Sequence, residues 1–366
     1  MSKITKYALS DLYDMSSGLS SKKEQAGHGA PFVSFGTVFN NYFLPEELPD
    51  LMDTNEKEQQ IYSIKTGDVL ITRTSETIDE LAMSCVAVKD YPKATYSGFT
   101  KRLRPKREGI AYPKYMAFYF RSALFRKAVT NNAFMTLRAS FNEDIFTFLD
   151  VYLPDYDEQV RIGDMLYNIE CKIQKNKEIN DYLEEMAKTI YDYWFIQFDF
   201  PGENGKPYKS SGGKMSFCNE LNREIPQNWN YTSIGNITIC LDSERIPLSN
   251  QQREGMKGSI PYYGATGIMD YVNRPIFSGN FVLLAEDGSV MDDNGNPILQ
   301  RVSGDVWINN HTHVLQPVKG YSCRLLYLLL KDIPVSIIKT GSIQMKINQA
   351  NLNNYNILSI PDAIRT

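Results

Sequence analysis

Polar and basic side chains that can hydrogen-bond to nucleic acid recur at corresponding places in the two halves of the chain. Arg and Lys pair with guanine, Asn and Gln pair with adenine, and Ser or Thr can contact either base. Candidates in the first half are Arg73, Ser75, Lys101, Arg102, Arg104, Arg138 and Ser140. Candidates in the second half are Tyr263, Thr266, Asn309, Asn310, His311, Gln344 and Lys346. Each residue type also occurs in ordinary turns, so only the constellation favours a DNA interface.

The densest basic segment is Lys101-Arg-Leu-Arg-Pro-Lys-Arg107, at the end of a predicted strand. Its charges could neutralise phosphates and so position a duplex, although phosphate contacts carry no sequence information. A solvated charged face explains the segment equally well. Both interpretations stay open on sequence grounds.

Motifs for nucleotide binding and catalysis are missing from the sequence. There is no Gly-x-x-x-x-Gly-Lys phosphate loop and no Gly-x-Gly-x-x-Gly turn. His311 and His313 are two positions apart on a predicted strand, so we expect them to point the same way; they could hold a metal ion, but no third ligand is evident. We therefore predict no catalytic residue and no metal site, and a chain that is not an enzyme by itself.

A long helix is predicted over residues 155–200, where good helix formers continue without proline from Asp155 to about Ile196. Its seam positions are separated alternately by four and three residues, which is the heptad pattern of a coiled coil. These positions are Ile162, Leu166, Ile169, Ile173, Asn176, Asn180, Leu183, Ala187, Ile190 and Trp194. An amphipathic helix packed on its own domain is the alternative.

The segments on either side of the helix resemble each other. Gly67-Asp-Val-Leu-Ile matches Gly279-Asn-Phe-Val-Leu, and the segment from Ala94 matches the segment from Val306 at the same offset. An internal duplication follows, with strands and one helical stretch in each copy. The sequence therefore predicts an α+β fold with two similar domains, 1–154 and 226–362, joined by the coiled-coil helix 155–200 and a linker 201–225, with residues 363–366 left over.

Composition sets broad limits on the protein. Of 366 residues, 42% are hydrophobic and 22% charged, and the formal net charge of -4 does not by itself indicate nucleic-acid binding. No apolar run could span a membrane, and the first residues do not resemble a signal peptide. Five scattered cysteines without a Cys-x-x-Cys pair favour a reducing compartment. We expect a cytoplasmic location.

Several of these segments resemble a known family. Pro261-Tyr-Tyr-Gly-Ala-Thr-Gly267, Trp307-Ile-Asn-Asn-His-Thr-His313 and Gly341-Ser-Ile-Gln-Met-Lys-Ile-Asn348 are similar to the target-recognition domains of type I restriction–modification specificity subunits. Leu153-Pro-Asp155 and the heptad helix resemble the central conserved region of that family. The resemblance covers nearly the whole chain and is looser in residues 1–150, as expected where recognition domains differ with their target.

The resemblance implies a non-catalytic DNA-binding subunit of a restriction system that directs DNA methylation. Each target-recognition domain would read one half of an asymmetric bipartite site, and the helix would set the spacing and dock methyltransferase subunits. The partners implied are double-stranded DNA, methyltransferase subunits and restriction subunits. S-adenosylmethionine, ATP and Mg would be bound by those partner subunits, and no cofactor by this chain.

One departure from the family concerns its second helix. Residues 363–366 correspond only to the first residues of a distal conserved region, which leaves the seam without a partner in this sequence. A second chain that supplies the helix, a pair of copies or a truncated product would each account for this. The alternative function is a truncated or regulatory adaptor that assembles with methyltransferase without directing modification.

Overall fold

The computed structural model describes residues 3–75, 80–132, 139–341 and 345–365. The chain divides into two compact units, Met1–Ile179 and Asn180–Thr366. This division falls inside the long helix, so each unit contains one end of that helix. The domain boundaries given by the sequence stay predictions.

The first unit is built from short strands and short helices. Its strands are β1 (Thr5–Ala8), β2 (Tyr13–Ser17), β3 (Ala26–Val33), β4 (Asp50–Met52), β5 (Val69–Thr72), β6 (Thr74–Ser75), β7 (Ser84–Val86), β8 (Thr95–Tyr96), β9 (Thr100–Pro105), β10 (Ala139–Ser140) and β11 (Asp150–Leu153). Its helices are α1 (Leu9–Leu12), α2 (Phe35–Asn40), α3 (Glu56–Ile61), α4 (Pro113–Tyr119), α5 (Ala123–Asn132) and α6 (Glu143–Phe148), and a 3-10 turn covers Lys23–Gln25.

The main sheet of the first unit is antiparallel, in the order β2-β9-β5-β7. A second sheet has the order β4-β3-β8, and β1 pairs with β11. The first three residues of β5 are apolar and all four are buried, as expected for a central strand. Val69, Leu103 and Phe120 belong to the core between this sheet and the helices.

The second unit repeats this plan with longer strands. Its strands are β12 (Met215–Cys218), β13 (Arg223–Pro226), β14 (Asn230–Ser233), β15 (Thr238–Cys240), β16 (Lys257–Gly264), β17 (Gly267–Val272), β18 (Phe277–Ala285), β19 (Leu299–Ile308), β20 (Thr312–Pro317), β21 (Lys339–Thr340), β22 (Lys346–Ile347) and β23 (Asn356–Ser359). The helix shared by the two units is α7 (Tyr156–Tyr191), and the other helices are α8 (Ile234–Ile237), α9 (Asn250–Glu254), α10 (Cys323–Lys331), α11 (Val335–Ile338), α12 (Gln349–Asn354) and α13 (Asp362–Arg365), with a 3-10 turn at Asp242–Glu244.

The six-stranded sheet of the second unit has the order β15-β20-β18-β19-β16-β17. Its first three strands match β2-β9-β5 in order and direction. The parallel pair of β16 and β19 corresponds to the parallel pair of β3 and β8, and the pair of β14 and β23 corresponds to that of β1 and β11. These matches confirm the predicted α+β fold with two similar domains.

The predicted long helix is confirmed as α7, which is followed by a turn of π-helix at Asp192–Ile196. In the first unit its beginning is fixed by Gln159, which is buried and accepts a hydrogen bond from the backbone N–H of Tyr112 (3.0 Å). One turn later a Cβ atom on Gly163 would lie 2.7 Å from the backbone nitrogen of Tyr115, so only glycine permits this close approach. In the second unit Tyr191 and Phe195 join the core.

Along the middle of α7, the seam side chains are exposed within their own units. Ile169 is 45% exposed and Leu183 is 55% exposed, and Ile173 and Ile190 are similarly exposed. An ordinary helix packed on its own domain would bury these positions, so the structure does not favour that alternative here. In the part of the chain that the structure describes, no helix is both long and apolar enough to cross a membrane.

Candidate nucleic-acid interface

In the first unit, three segments meet where β5 ends. The backbone N–H of Arg73 donates to the carbonyl of Phe99 (2.8 Å), and the N–H of Phe141 donates to the carbonyl of Arg73 (2.7 Å). Next to this junction, β6 pairs with β10, which sets Ser140 opposite Thr74. The predicted residues Arg73, Ser75 and Ser140 therefore lie together, although they are up to 67 positions apart in sequence. We call this arrangement the first strand junction.

Lys101 is the residue of the basic segment that lies beside Arg73. Lys101 lies on β9 opposite Ile71, near the end of β5, and its Nζ donates to the Oγ of Ser17 (2.8 Å). Partial burial lowers the pKa of the Lys101 ammonium group, and the positive charge of Arg73 lowers that pKa further. Two cations close enough to repel each other form a site that an anion such as a phosphate would stabilise.

Arg102 and Arg104 do not form a free basic face with Lys101. Both side chains reach the carbonyl oxygen of Ser63, because residues two apart on a strand face the same side. Arg104 also makes a two-pronged ion pair with the fully buried Asp68 (2.8 and 2.7 Å), which raises the pKa of the guanidinium group. The structure thus gives both arginines partners within the unit, and their contact with DNA stays a prediction.

The second unit has an equivalent junction where β18 ends. The backbone N–H of Glu286 donates to the carbonyl of His311 (2.9 Å), and the N–H of Ile347 donates to the carbonyl of Glu286 (2.8 Å). These are the same two bonds that Arg73 makes in the first unit. We call this arrangement the second strand junction. It includes the predicted residues Asn309, Asn310, His311 and Lys346.

Side chains at the second junction are largely held by one another. Lys346 Nζ lies 2.9 Å from Glu286 Oε1, and this hydrogen bond raises the pKa of the lysine. His311 is exposed, with Nδ1 2.6 Å from Asp287 Oδ1. Asn309 is buried, and its Oδ1 accepts from the N–H of His311 (2.9 Å). Its amide therefore supports the turn that presents Asn310 and His311.

The hairpin of β16 and β17 carries the remaining predicted residues. Thr266 is exposed between the two strands, and Tyr263 is half-buried. The carbonyl of Tyr263 accepts from the N–H of Asn309 (3.0 Å), so this strand adjoins the second junction. Arg138 and Gln344, also predicted to contact DNA, lie outside the described residues.

Beneath the second junction lies an ion-pair network that the sequence did not reveal. His313 is 1% exposed, with Nδ1 2.5 Å from Asp242 Oδ2 and Nε2 3.0 Å from the carbonyl of Ile347. Each ring nitrogen of this buried side chain therefore lies within hydrogen-bond distance of an oxygen atom. Arg245 Nη1 lies 2.6 Å from Glu286 Oε2 and completes the network.

The charges in this network determine the ionisation of its acids. Burial by itself would raise the pKa of both carboxyl groups. For Asp242 the hydrogen bond and charge of His313 prevail, and the pKa is lowered. For Glu286 the hydrogen bonds from Lys346 and Arg245 outweigh the effect of burial, and the pKa is lowered as well. Both acids are therefore held as carboxylates.

Cys240, Asp242 and His313 form a group of possible metal ligands in the described part of the chain, with ligand atoms within 4.8 Å of one another. The imidazole and carboxylate already bond each other, and Arg245 lies 3.5 Å from Asp242. Burial, and then the hydrogen bond with Asp242, raises the pKa of the Cys240 thiol to about 12, so the thiolate that a metal requires is disfavoured. The geometry is that of an ion pair rather than of a metal centre.

Comparison with known proteins identifies a family that this chain matches. The family model described as the type I restriction modification DNA specificity domain matches residues 1–185 and 226–363. A Haemophilus influenzae protein, provisionally described as a type I restriction enzyme specificity subunit, is 34% identical over 130 residues, which are 36% of this chain and 33% of that relative. The specificity subunit of the type I restriction enzyme MjaIX from Methanocaldococcus jannaschii is 24% identical over 360 residues, or 92% of this chain and 78% of that relative.

A solved structure supports the fold. The S subunit of a type I restriction–modification system from M. genitalium superposes with a TM-score of 0.57 at 14% identity, over 98% of this chain and 85% of that chain. At this identity the similarity concerns architecture only.

Proposed function

Because the chain belongs to the type I restriction modification DNA specificity family, we propose that it is the sequence-specific DNA-recognition subunit of a type I restriction–modification complex. Each unit reads one half of an asymmetric bipartite site with the residues at its strand junction. The observation that carries the proposal is the repeated junction, which gives two equivalent sites with different side chains. Different side chains at equivalent sites favour two different half-site sequences.

The catalytic steps belong, in this proposal, to partner subunits. Methyltransferase subunits bind S-adenosylmethionine and modify adenine, and restriction subunits use ATP and Mg. This chain supplies recognition and positioning, without a cofactor of its own. Its net charge of -4 leads us to expect weak DNA binding by the isolated chain and specific binding after assembly.

Helix α7 supplies the assembly surface in this proposal. Its exposed seam supports the predicted coiled coil, because burying a large aliphatic side chain contributes roughly 1.5–3 kcal/mol. The double substitution Ile169→Asp and Ile173→Asp should therefore abolish assembly and methylation. A matched pair at exposed positions opposite the seam, Glu178→Lys and Glu185→Lys, should leave assembly intact. If both doubles assembled equally well, the seam would not be a packing surface.

The deciding experiment is to co-express the chain with the methyltransferase subunit of the same system and map methylated adenines across a genome. A single bipartite motif with a fixed gap is expected. A complex that stays intact on a sizing column but methylates no defined motif would contradict the proposal and favour the regulatory adaptor.

A further inference from the structure

The first strand junction presents a tight turn whose backbone is fixed at every residue. Thr100 N–H donates to the carbonyl of Ser97 (2.9 Å), and Gly98 N–H donates to the carbonyl of Leu19 (2.7 Å). A Cβ atom on Gly98 would lie 2.9 Å from that carbonyl oxygen, so the turn is seated tightly on its neighbour. The N–H of Phe99 donates to Ser97 Oγ (3.2 Å), and its carbonyl accepts from Arg73.

One side chain of this turn faces solvent. Phe99 is 63% exposed, whereas Ser97 and Thr100 on either side are buried. Because the backbone is fixed, the direction of the Cα–Cβ bond of Phe99 is fixed as well. An exposed phenyl ring on a rigid turn is therefore available to a partner without the cost of ordering the backbone.

The equivalent turn of the second unit displays a different side chain in the same place. His311 occupies the position of Phe99, since its carbonyl accepts the equivalent hydrogen bond, from Glu286. Asn309 and Thr312 around it are buried, as Ser97 and Thr100 are. We call the positions of Phe99 and His311 the tip position of the turn. This position is exposed in both units, and the turn that supports it is the same.

The surroundings of Phe99 favour DNA as its partner. Arg73 and Lys101 adjoin the turn, and the charge of Arg73 is felt at Lys101. Cations of this kind bind phosphates and position a protein on a duplex. A phenyl ring has no hydrogen-bonding group, and the apolar group that a base pair offers in the major groove is the 5-methyl of thymine.

We propose that Phe99 reads a thymine in one half-site by contact with its 5-methyl group. This inference rests on the proposed function and deepens it, because it assigns a specificity-determining residue that the sequence motifs did not single out. Arg73 and Lys101 hold the flanking phosphates, and the rigid turn delivers the ring to the base edge. The exposed tip position then sets one base preference in each unit.

The test uses the assembled methyltransferase complex and duplexes containing its mapped site. Each thymine of both half-sites is replaced in turn by deoxyuridine, which removes only the methyl group. When one particular thymine of one half-site is replaced, the wild-type complex should bind about fourfold more weakly. This factor corresponds to the free energy of burying one methyl group. Phe99→Ala should bind more weakly and lose this sensitivity, whereas Phe99→Leu should keep most of it.

His311→Ala is the matched control, because it alters the equivalent tip of the other unit. It should retain the deoxyuridine effect in full. Thermal unfolding of Phe99→Ala should match the wild type, since the ring is exposed.

Three results would overturn the inference. The first is that no thymine shows sensitivity, and the second is that Phe99→Ala is as sensitive as the wild type. The third is a large rise in 2-aminopurine fluorescence at a base step, abolished by Phe99→Ala, which would instead indicate insertion between bases. If the wild-type complex methylates no bipartite motif, the proposed function itself fails. If the motif exists but Phe99 does not affect the response to deoxyuridine, only the present inference fails.

Discussion

At the end of β5 the first unit has Arg73, and at the equivalent end of β18 the second unit has Glu286. The backbone bonds at the two positions are the same, but the charges are opposite. On the neighbouring strand, the first unit has Lys101 at this level and the second unit has His313, which is hydrogen-bonded to Asp242. One scaffold therefore supports two unlike electrostatic sites.

The difference shows which parts of a junction are architectural. Main-chain hydrogen bonds and helix caps recur in both units: Asn142 accepts from Ile145 N–H at 3.0 Å, and Asn348 accepts from Ala350 N–H at 2.8 Å. Side chains at the strand ends do not recur. The first junction keeps cations available for phosphates, whereas the second neutralises its charges internally. Four experiments would break or sharpen this comparison.

The largest expected effect comes from Glu286→Ala. It leaves Arg245, which is 12% exposed, with only the more distant carboxylate of Asp242 at 3.5 Å, and losing the shorter of two such largely buried pairs costs up to about 3 kcal/mol. All three tryptophans, Trp194, Trp229 and Trp307, lie in the second unit, so their fluorescence follows its unfolding in urea. The counterpart Arg73→Ala, at an exposed position, should change stability by less than about 0.5 kcal/mol. Equal losses of unfolding free energy in the two variants would show that the second junction does not depend more on its charged side chain than the first.

Acid should destabilise the second unit through Asp242 and Glu286. Their folded-state pKa values are lowered, so the stability that they contribute is present above the ordinary carboxyl pKa values and is lost as pH falls through the lowered folded-state values. Tryptophan-detected urea midpoints at pH 7, 5, 4 and 3.5 would measure this. The variant Asp242→Asn should show a shallower decline below pH 5. A parallel decline in both proteins would assign the acid sensitivity to other groups.

Removing either helix cap should have a moderate and similar effect. Asn142→Ala and Asn348→Ala each lose a hydrogen bond to the first turn of a short helix, at a cost of about 1 kcal/mol. Hydrogen exchange of α6 and α12 would report each loss separately. A cost confined to one unit would contradict a common scaffold.

The smallest effect is expected in the salt dependence of DNA binding by the assembled complex. Arg73→Ala and Lys101→Ala should each reduce the slope of log affinity against log salt by about 0.9, because each variant neutralises one phosphate fewer. Lys346→Ala should reduce the slope less, because Glu286 already pairs with that lysine. Fluorescence anisotropy between about 50 and 200 mM salt, over which the release of counterions changes affinity steeply, would measure all three slopes. Equal slopes for Lys101→Ala and Lys346→Ala would remove the electrostatic difference between the junctions.

Patterns local in sequence predicted much of this molecule. The heptad spacing predicted α7, because a helix repeats its faces over short distances along the chain. Matched segments at a constant offset predicted the duplication, and they correctly aligned the turn at Phe99 with the turn at His311. The polar loops around Arg73 and Ser140 were predicted as one interface, and they do lie together.

Pairings between distant residues were not predictable in the same way. Arg104 is part of a basic run in sequence, but its partner Asp68 lies on the neighbouring segment 36 positions earlier. His311 and His313 were expected to point the same way, yet one is exposed and the other buried, because His311 precedes β20 rather than lying within it. No local pattern identifies which acid a buried cation will meet.

The sequence by itself therefore determined the repeat, the long helix and the residue types available for recognition, since these depend on periodicity and order along the chain. Tertiary structure decided which charges are available and which are neutralised. Folding brings His313 within 2.5 Å of Asp242 and within 3.9 Å of Glu286, although 71 positions separate Asp242 from His313. Desolvation makes each buried charge require a partner there, and that requirement exists only after the chain has folded.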